Sequence, residues 1–131
     1  MHRSAARRGR VLLAGLPPAE RRDALDHVGP LERLTGRTIT DRGRLEEVLD
    51  QVAEQGYALH EGELDEGLRS IAVPVHDRDR KVVAAVNAAM HNSRRTPEEC
   101  TTELLPQLRA TAARIETEFA TATRFVKIPV T

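Results

Sequence analysis

Three of the five histidines, His60, His76 and His91, stand at the ends of short β-branched runs, accompanied by a serine at Ser70, an asparagine at Asn87 and a lone cysteine, Cys100. Three imidazoles suffice for a catalytic zinc site. None of these shows the i, i+2 or i, i+4 spacing of a ligand pair, however, and exposed strand-end histidines are the ordinary reading of such positions. Ser70 and Cys100 lie outside any GxSxG-like elbow. In the first turn of a helix, Cys100 would have its thiol pKa lowered by the helix dipole, whereas burial would leave it inert. Glu61, Glu63, Asp65 and Glu66 read as a solvated acidic turn rather than as paired catalytic acids. No metal, cofactor or enzymatic activity is expected.

The elements that must position these residues follow from periodicity. Ala5, Ala6, Gly9, Leu12, Leu13 and Leu16 suggest a helix stopped by Pro17 and Pro18. A second helix opens at Pro18, places Leu25 and Val28 on one face and ends at Gly29-Pro30, so the two form a helical hairpin. Thr40 or Asp41 caps a third, in which Leu45, Val48, Leu49 and Val52 recur at i, i+3, i+4 and i+7 before Gly56. Strands are predicted at 57–60, 68–76 and 81–91, the last two joined as an antiparallel hairpin by Asp77-Arg78-Asp79-Arg80. Thr96-Pro97-Glu98-Glu99 forms a capping box for a final helix. Its stripe of Leu104, Leu108, Ala112, Ile115 and Phe119 runs to about residue 120, with a kink or break at Pro106. Residues 1–123 read as one domain and 124–131 as a tail.

Alternation sorts the strand residues by face. Ser70, Ala72, Pro74 and His76 share one side of the second strand, and Val83, Ala85, Asn87, Ala89 and His91 one side of the third. Ile71, Val73 and Val75, with Val82, Ala84, Val86, Ala88 and Met90, form apolar faces suited to packing under helices. The first face, small, polar and rimmed by histidine, is one way to build a cup for a small polar ligand. Asn87 and Ser70 satisfying backbone groups at a sheet end is the alternative.

Composition bounds the function. The 131 residues carry 20 basic and 20 acidic side chains, no Trp and three aromatics, which suits one soluble domain and excludes base stacking on aromatic platforms. Charge is uneven along the chain: residues 1–22 hold six arginines and one acid, residues 41–70 nine acids and three arginines. The basic start reads either as a solvated helix face or as a phosphate contact, and no nucleic-acid motif accompanies it. One cysteine forms no internal disulfide, and the apolar runs are too short to span a bilayer, so a cytoplasmic location is expected.

The ordered segments Gly56-Tyr57-Ala58-Leu59, Glu63-Leu64, Glu66-Gly67-Leu68-Arg69-Ser70-Ile71-Ala72-Val73-Pro74-Val75 and Val82-Val83-Ala84-Ala85-Val86-Asn87 carry a further signal. Together with Gly9-Arg10-Val11-Leu12-Leu13-Ala14, Leu34-Thr35 and Thr38-Ile39-Thr40-Asp41, they resemble the C-terminal effector-binding domain of IclR-type bacterial transcriptional regulators, particularly the aromatic-acid and β-ketoadipate branch. The resemblance covers about residues 5–120. It implies an α+β, GAF-like (profilin-like) antiparallel sheet with flanking helices, here incomplete. It also implies an effector cup lined by Ser70, Asn87 and Ala89, with His60 or Glu61 closing the loop side. His60 stands where the family often has an acidic, amide or small apolar residue. Ala89 stands where a hydroxyl is common, and Gly62 where a longer residue is usual.

Full regulators of this type begin with a winged-helix domain, followed by a helix and strands that form the other half of the cup, and this chain is expected to start after them. The implied function is non-catalytic: sensing a small carboxylate, aromatic acids included, and self-associating as a dimer or tetramer, with DNA reached only through the winged-helix domain. Ser70, Asn87 and strand-end N–H groups would supply donors, and His60 or His91 positive charge at lower pH. The alternative function is a degenerate fragment serving only as a dimerisation scaffold.

Overall fold

The computed structural model describes residues 9–28, 36–62 and 65–125. Its elements are α1 (Arg10–Ala14), α2 (Pro18–Val28), α3 (Arg42–Gln55), β1 (Ala58–Glu61), β2 (Leu68–His76), β3 (Val82–His91), α4 (Pro97–Glu99), a π-helical turn (Cys100–Leu104) and α5 (Leu105–Phe125). The strands form an antiparallel sheet in the order β1-β2-β3, so the fold is α+β, as expected.

Local chemistry sets the helix ends. Asp41, rather than Thr40, caps α3: its carboxylate accepts the Arg44 N–H. Gly56, at φ 81°, closes the same helix by donating to the Val52 carbonyl, a left-handed conformation that costs glycine little. Before α4, Thr96 Oγ1 accepts from Glu99 N–H while Glu99 Oε1 accepts from Thr96 N–H, the predicted capping box. α1 has only five residues, shorter than predicted, and the expected contribution of Ala5 and Ala6 lies outside the described residues. So do Gly29-Pro30, Leu34-Thr35 and the side chain of Val28. α5 continues to Phe125, through the first two residues of the predicted tail.

Pro106 stands just after the break in the last helical element, where a π-helical turn separates α4 from α5. It follows a turn of i→i+5 type in which Leu105 N–H donates to the Cys100 carbonyl, and the wider turn makes room for a ring that would clash with the preceding turn of a regular α-helix. The extra residue also rotates the apolar stripe, so that Cys100 and Leu105 both become buried. Farther along, Ile115 and Phe119 are 39% and 40% exposed, and the predicted stripe is buried only as far as Ala112.

Helices pack on both faces of the sheet. Ile71, Val73 and Val75 pack with Cys100, Leu105 and Ala112 on the α5 side. On the other side, Ala58 and half-buried Ala72 meet Val11, Leu13 and Ala14 of α1 and Leu45, Leu49 and Val52 of α3. α2 closes this layer through Leu25 and through Arg21, which reaches Asp50 at 2.6 Å and the Ala14 carbonyl at 3.2 Å. A register shift after Val75 corrects the predicted alternation of β3. His76 pairs with Val82 and Val75 with Ala84, so Val83 is an extra residue. Val82 therefore joins the α1 side instead of the α5 side, and Val83 is exposed.

The approach of α1 to β3 depends on Gly15. A methyl group placed there would lie 2.4 Å from Val82 Cγ2 and 2.7 Å from Val82 Cβ, an atom anchored to the strand. Gly15→Ala is expected to lower stability by about 1–3 kcal/mol through overpacking. Urea denaturation of Gly15→Ala, alone and combined with Val82→Ala, checks this: the second substitution should recover part of the loss.

Candidate effector site

β2 supplies the centre of the predicted face. The register sets His60 opposite Ser70 and Ser70 opposite Ala89, a row of three across the sheet. The adjoining row is Ala58, Ala72 and Asn87. Four of the five expected residues, His60, Ser70, Asn87 and Ala89, thus share one face, with Ser70 and His60 half-buried and Asn87 and Ala89 exposed. It is an open shelf rather than an enclosed cavity, flanked by α1 and α3.

Glu61 is not brought to this face. It pairs with Arg69 in the row that ends at Met90, on the α5 side of the sheet. Arg69 Nε donates to Glu61 Oε1, and Arg69 Nη1 donates to the carbonyls of Asn92, at 3.0 Å, and Arg95. This carboxylate anchors the strand ends. Strand alternation explains the separation, because neighbours such as His60 and Glu61 point to opposite faces.

The other histidines divide between the two ends of the sheet. His91, opposite Leu68, shares a 2.8 Å hydrogen bond between its Nδ1 and Ser93 Oγ. His76 lies at the far end of β2, six residues from Ser70 and roughly 20 Å away along an extended strand. Its backbone N–H and its Nδ1 meet Glu116 Oε2 at 2.7 and 3.0 Å. The three imidazoles therefore do not converge. Cys100 is buried with its sulfur 4.0 Å from that of Met90. Burial pushes its thiol pKa up, outweighing the opposite pull of Arg69, which is the inert reading. Asp65 and Glu66 are exposed, while Glu63 lies outside the described residues.

A cation sits beside the face. Arg10, at the start of α1, is only 4% exposed, and burial followed by repulsion from Arg44 lowers its pKa to about 10. It therefore stays charged at neutral pH. Burial brings the His60 pKa down to about 4, with the Arg10 charge acting in the same direction. His60 is therefore neutral through the mildly acidic range, and the expectation that it supplies positive charge there is corrected: that charge belongs to Arg10. Arg10 is not picked out by strand alternation or by the resemblance, and within the basic N-terminal segment it reads as solvated. The signal is its helical spacing, since i+3 and i+4 from Arg10 are Leu13 and Ala14, both buried.

The loop after β1 turns sharply at Gly62, where φ is +64°. A methyl group there would lie 3.0 Å from Arg37 Cδ and 3.2 Å from the Glu66 carbonyl. The absence of a side chain lets the 36–38 segment close over this edge.

Residues 1–117 match the family described as "Bacterial transcriptional regulator IclR C-terminal". The chain belongs to this family. It is 39% identical over 102 residues to the Pca regulon regulatory protein of Pseudomonas putida, covering 78% of this chain and 35% of that protein. With the HTH-type transcriptional regulator KdgR of Escherichia coli the identity is 41% over 110 residues, 84% of this chain and 41% of KdgR. Among solved structures, the C-terminal domain of E. coli KdgR superposes with a TM-score of 0.79 at 40% identity, covering 86% of this chain and 67% of that one. A PobR inducer-binding domain from Acinetobacter, in complex with 3-hydroxybenzoic acid, gives 0.77 at 34%, covering 82% and 61%. This chain thus spans about two fifths or less of the length of these curated relatives. The matched portion corresponds to the C-terminal, effector-binding domain of IclR-type transcriptional regulators.

The His60 pKa carries a sign. Its folded value, about 4, lies below the ordinary 6.5, so the unfolded chain binds the extra proton between these pH values and stability falls as pH is lowered through that window. The full difference is on the order of 3 kcal/mol. Urea midpoints measured from pH 7.5 to 4 should decline less steeply for His60→Asn than for the parent, and NMR titration should show His60 uncharged at pH 5.

Proposed function

We propose that this chain is the sensing part of an IclR-type regulator, and that it binds a small carboxylate, aromatic acids included, on the face formed by His60, Ser70, Asn87 and Ala89. The observation that carries this reading is their alignment in two adjoining cross-strand rows beside the buried Arg10. The Ser70 hydroxyl and the Asn87 amide give a carboxylate donors of fixed direction, and a buried guanidinium gives it a favourable potential. The exposed Ala89, beside half-buried Ala72, leaves room for a flat body at the open end of the face. The PobR domain solved with 3-hydroxybenzoic acid and the relatedness to a Pca regulon regulatory protein support the aromatic class.

In a full regulator, effector binding would act on linked DNA-binding domains by favouring one arrangement, which requires different affinities for two states. Self-association belongs to the same reading. Among the described residues, the outer edge of β3 pairs with no other strand, and a long free edge invites pairing. That edge, together with the openness of the shelf, also favours a second reading: a dimerisation scaffold that binds no ligand.

Calorimetric titration of the full chain with 4-hydroxybenzoate, protocatechuate and short keto acids tests the proposal. Saturable binding is expected for at least one acid, about tenfold weaker in Asn87→Leu, the loss of one hydrogen bond to a charged group. Equal binding by both proteins overturns the site. A stable dimer in light scattering with no response to any acid selects the scaffold.

A further inference from the structure

The turn between β2 and β3 contains a residue that breaks a local rule. Asp77 organises this turn: its N–H donates to the Lys81 carbonyl, its carbonyl accepts from Arg80 N–H, and its Oδ1 accepts from the N–H groups of Asp79 and Lys81. Within that frame Arg80 has φ 65°, the one non-glycine residue with positive φ among the described residues. Glycine would occupy this position without strain, and nothing in the turn uses the Arg80 side chain. Its guanidinium donates no hydrogen bond among the described residues.

What Arg80 does line is a cleft at the hairpin end of the sheet, at the opposite end of β2 from Ser70. An outer lobe of about 720 Å³ lies between the turn and α5, bounded by His76, Arg78, Glu116 and Thr117 as well as Arg80. An inner lobe of about 230 Å³ reaches under α1 and α3, walled by Val11, Ala14, Val52, Pro74 and Val82, again with Arg80 and His76 at its mouth. The wall of the outer lobe is tied together by Arg78 Nη2, which donates to the Ala120 carbonyl at 2.6 Å.

The acids nearby are already engaged, Glu116 Oε2 by the backbone N–H and the Nδ1 of His76 and Asp77 Oδ1 by the turn. Burial raises the Glu116 pKa, but these bonds and the charge of Arg80 outweigh it and hold the group below the ordinary carboxylate range. Glu116 is therefore ionised at neutral pH and does not supply a proton to an entering acid. An apolar lobe with a guanidinium at its mouth matches an amphipathic anion, and the size of the inner lobe restricts the apolar part to one ring or a short chain.

We propose that this cleft is a second ligand site for small amphipathic carboxylates, with the carboxylate on Arg80 and the apolar body between Val11, Val52 and Val82. The left-handed conformation is the cost of placing a cation at that mouth, as strained residues at binding sites commonly show.

The experiment uses the full chain carrying Asn87→Leu, so that the His60 face is impaired, and titrates it with benzoate while recording backbone amide NMR spectra. Saturable shifts are expected at Gly15, Gly56, Arg80 and Val82. Adding Arg80→Gly should weaken this binding at least tenfold and at the same time raise the urea midpoint, because the strain is relieved. Benzamide, which lacks the charge, should bind at least tenfold more weakly than benzoate. The proposal is overturned by absent shifts at these amides, by an affinity unchanged in Arg80→Gly, by a lowered midpoint in that variant, or by equal binding of benzamide. None of these results bears on the His60 face, whose test is the Asn87→Leu comparison.

Discussion

Every functional feature of this domain hangs on one strand having both faces buried. β2 lies between β1 and β3 and is covered by α5 on one side and by α1 with α3 on the other. Its odd-numbered residues from 71 to 75 fill the first interface, while Ser70, Ala72 and Pro74 look to the second, and His76, at the register shift, meets Glu116 of α5. A slip of one residue would exchange the two sets, setting Ser70 against the α5 core and turning Ile71, Val73 and Val75 toward the partly open face that Ser70 occupies. That penalty fixes the register, and with it the row His60–Ser70–Ala89 at one end and the junction of His76 and Arg80 at the other.

Charge is distributed along the same strand. Arg69 is held by Glu61 and two carbonyls on the α5 side, so its charge is spent on closing the strand ends. Arg10, on the opposite side, is buried beside a histidine that stays neutral. Adjacent positions of the strands thus receive very different electrostatics. The sheet separates a structural ion pair from the buried Arg10 cation beside His60, and the balanced overall charge conceals this separation.

The legible parts of the fold are those written in local rules. Asp41 and Gly56 bracket α3, Thr96 and Glu99 form their box, and alternation along β2 and β3 gives the shared face of Ser70, Asn87 and Ala89, to which the resemblance adds His60. Less legible are features in which one extra residue changes the phase. The bulge at Val83 moves Val82 across the sheet, and the π turn buries Leu105 instead of continuing the predicted stripe. In both places the residue types fit either phase, and packing against α1 or β2 decides. Glu61 shows a different limit: a resemblance assigns it to the neighbourhood of the cup, whereas the strand period turns its side chain away. Arg10 was hidden by its context, since a basic segment reads as solvated until its helical neighbours Leu13 and Ala14 are counted.

The π turn has a further consequence for how the last helix can change. An α-helix advances about 100° per residue, so one residue added or removed within Cys100–Leu104 rotates everything after it by that amount relative to everything before it. Ahead of the turn, the Arg95 carbonyl is pinned by Arg69; beyond it, Ala112 and Glu116 are pinned by Val73 and His76. The helix is therefore clamped at two angular settings that a regular helix of the same length could not satisfy together. In this segment length itself is a specified quantity.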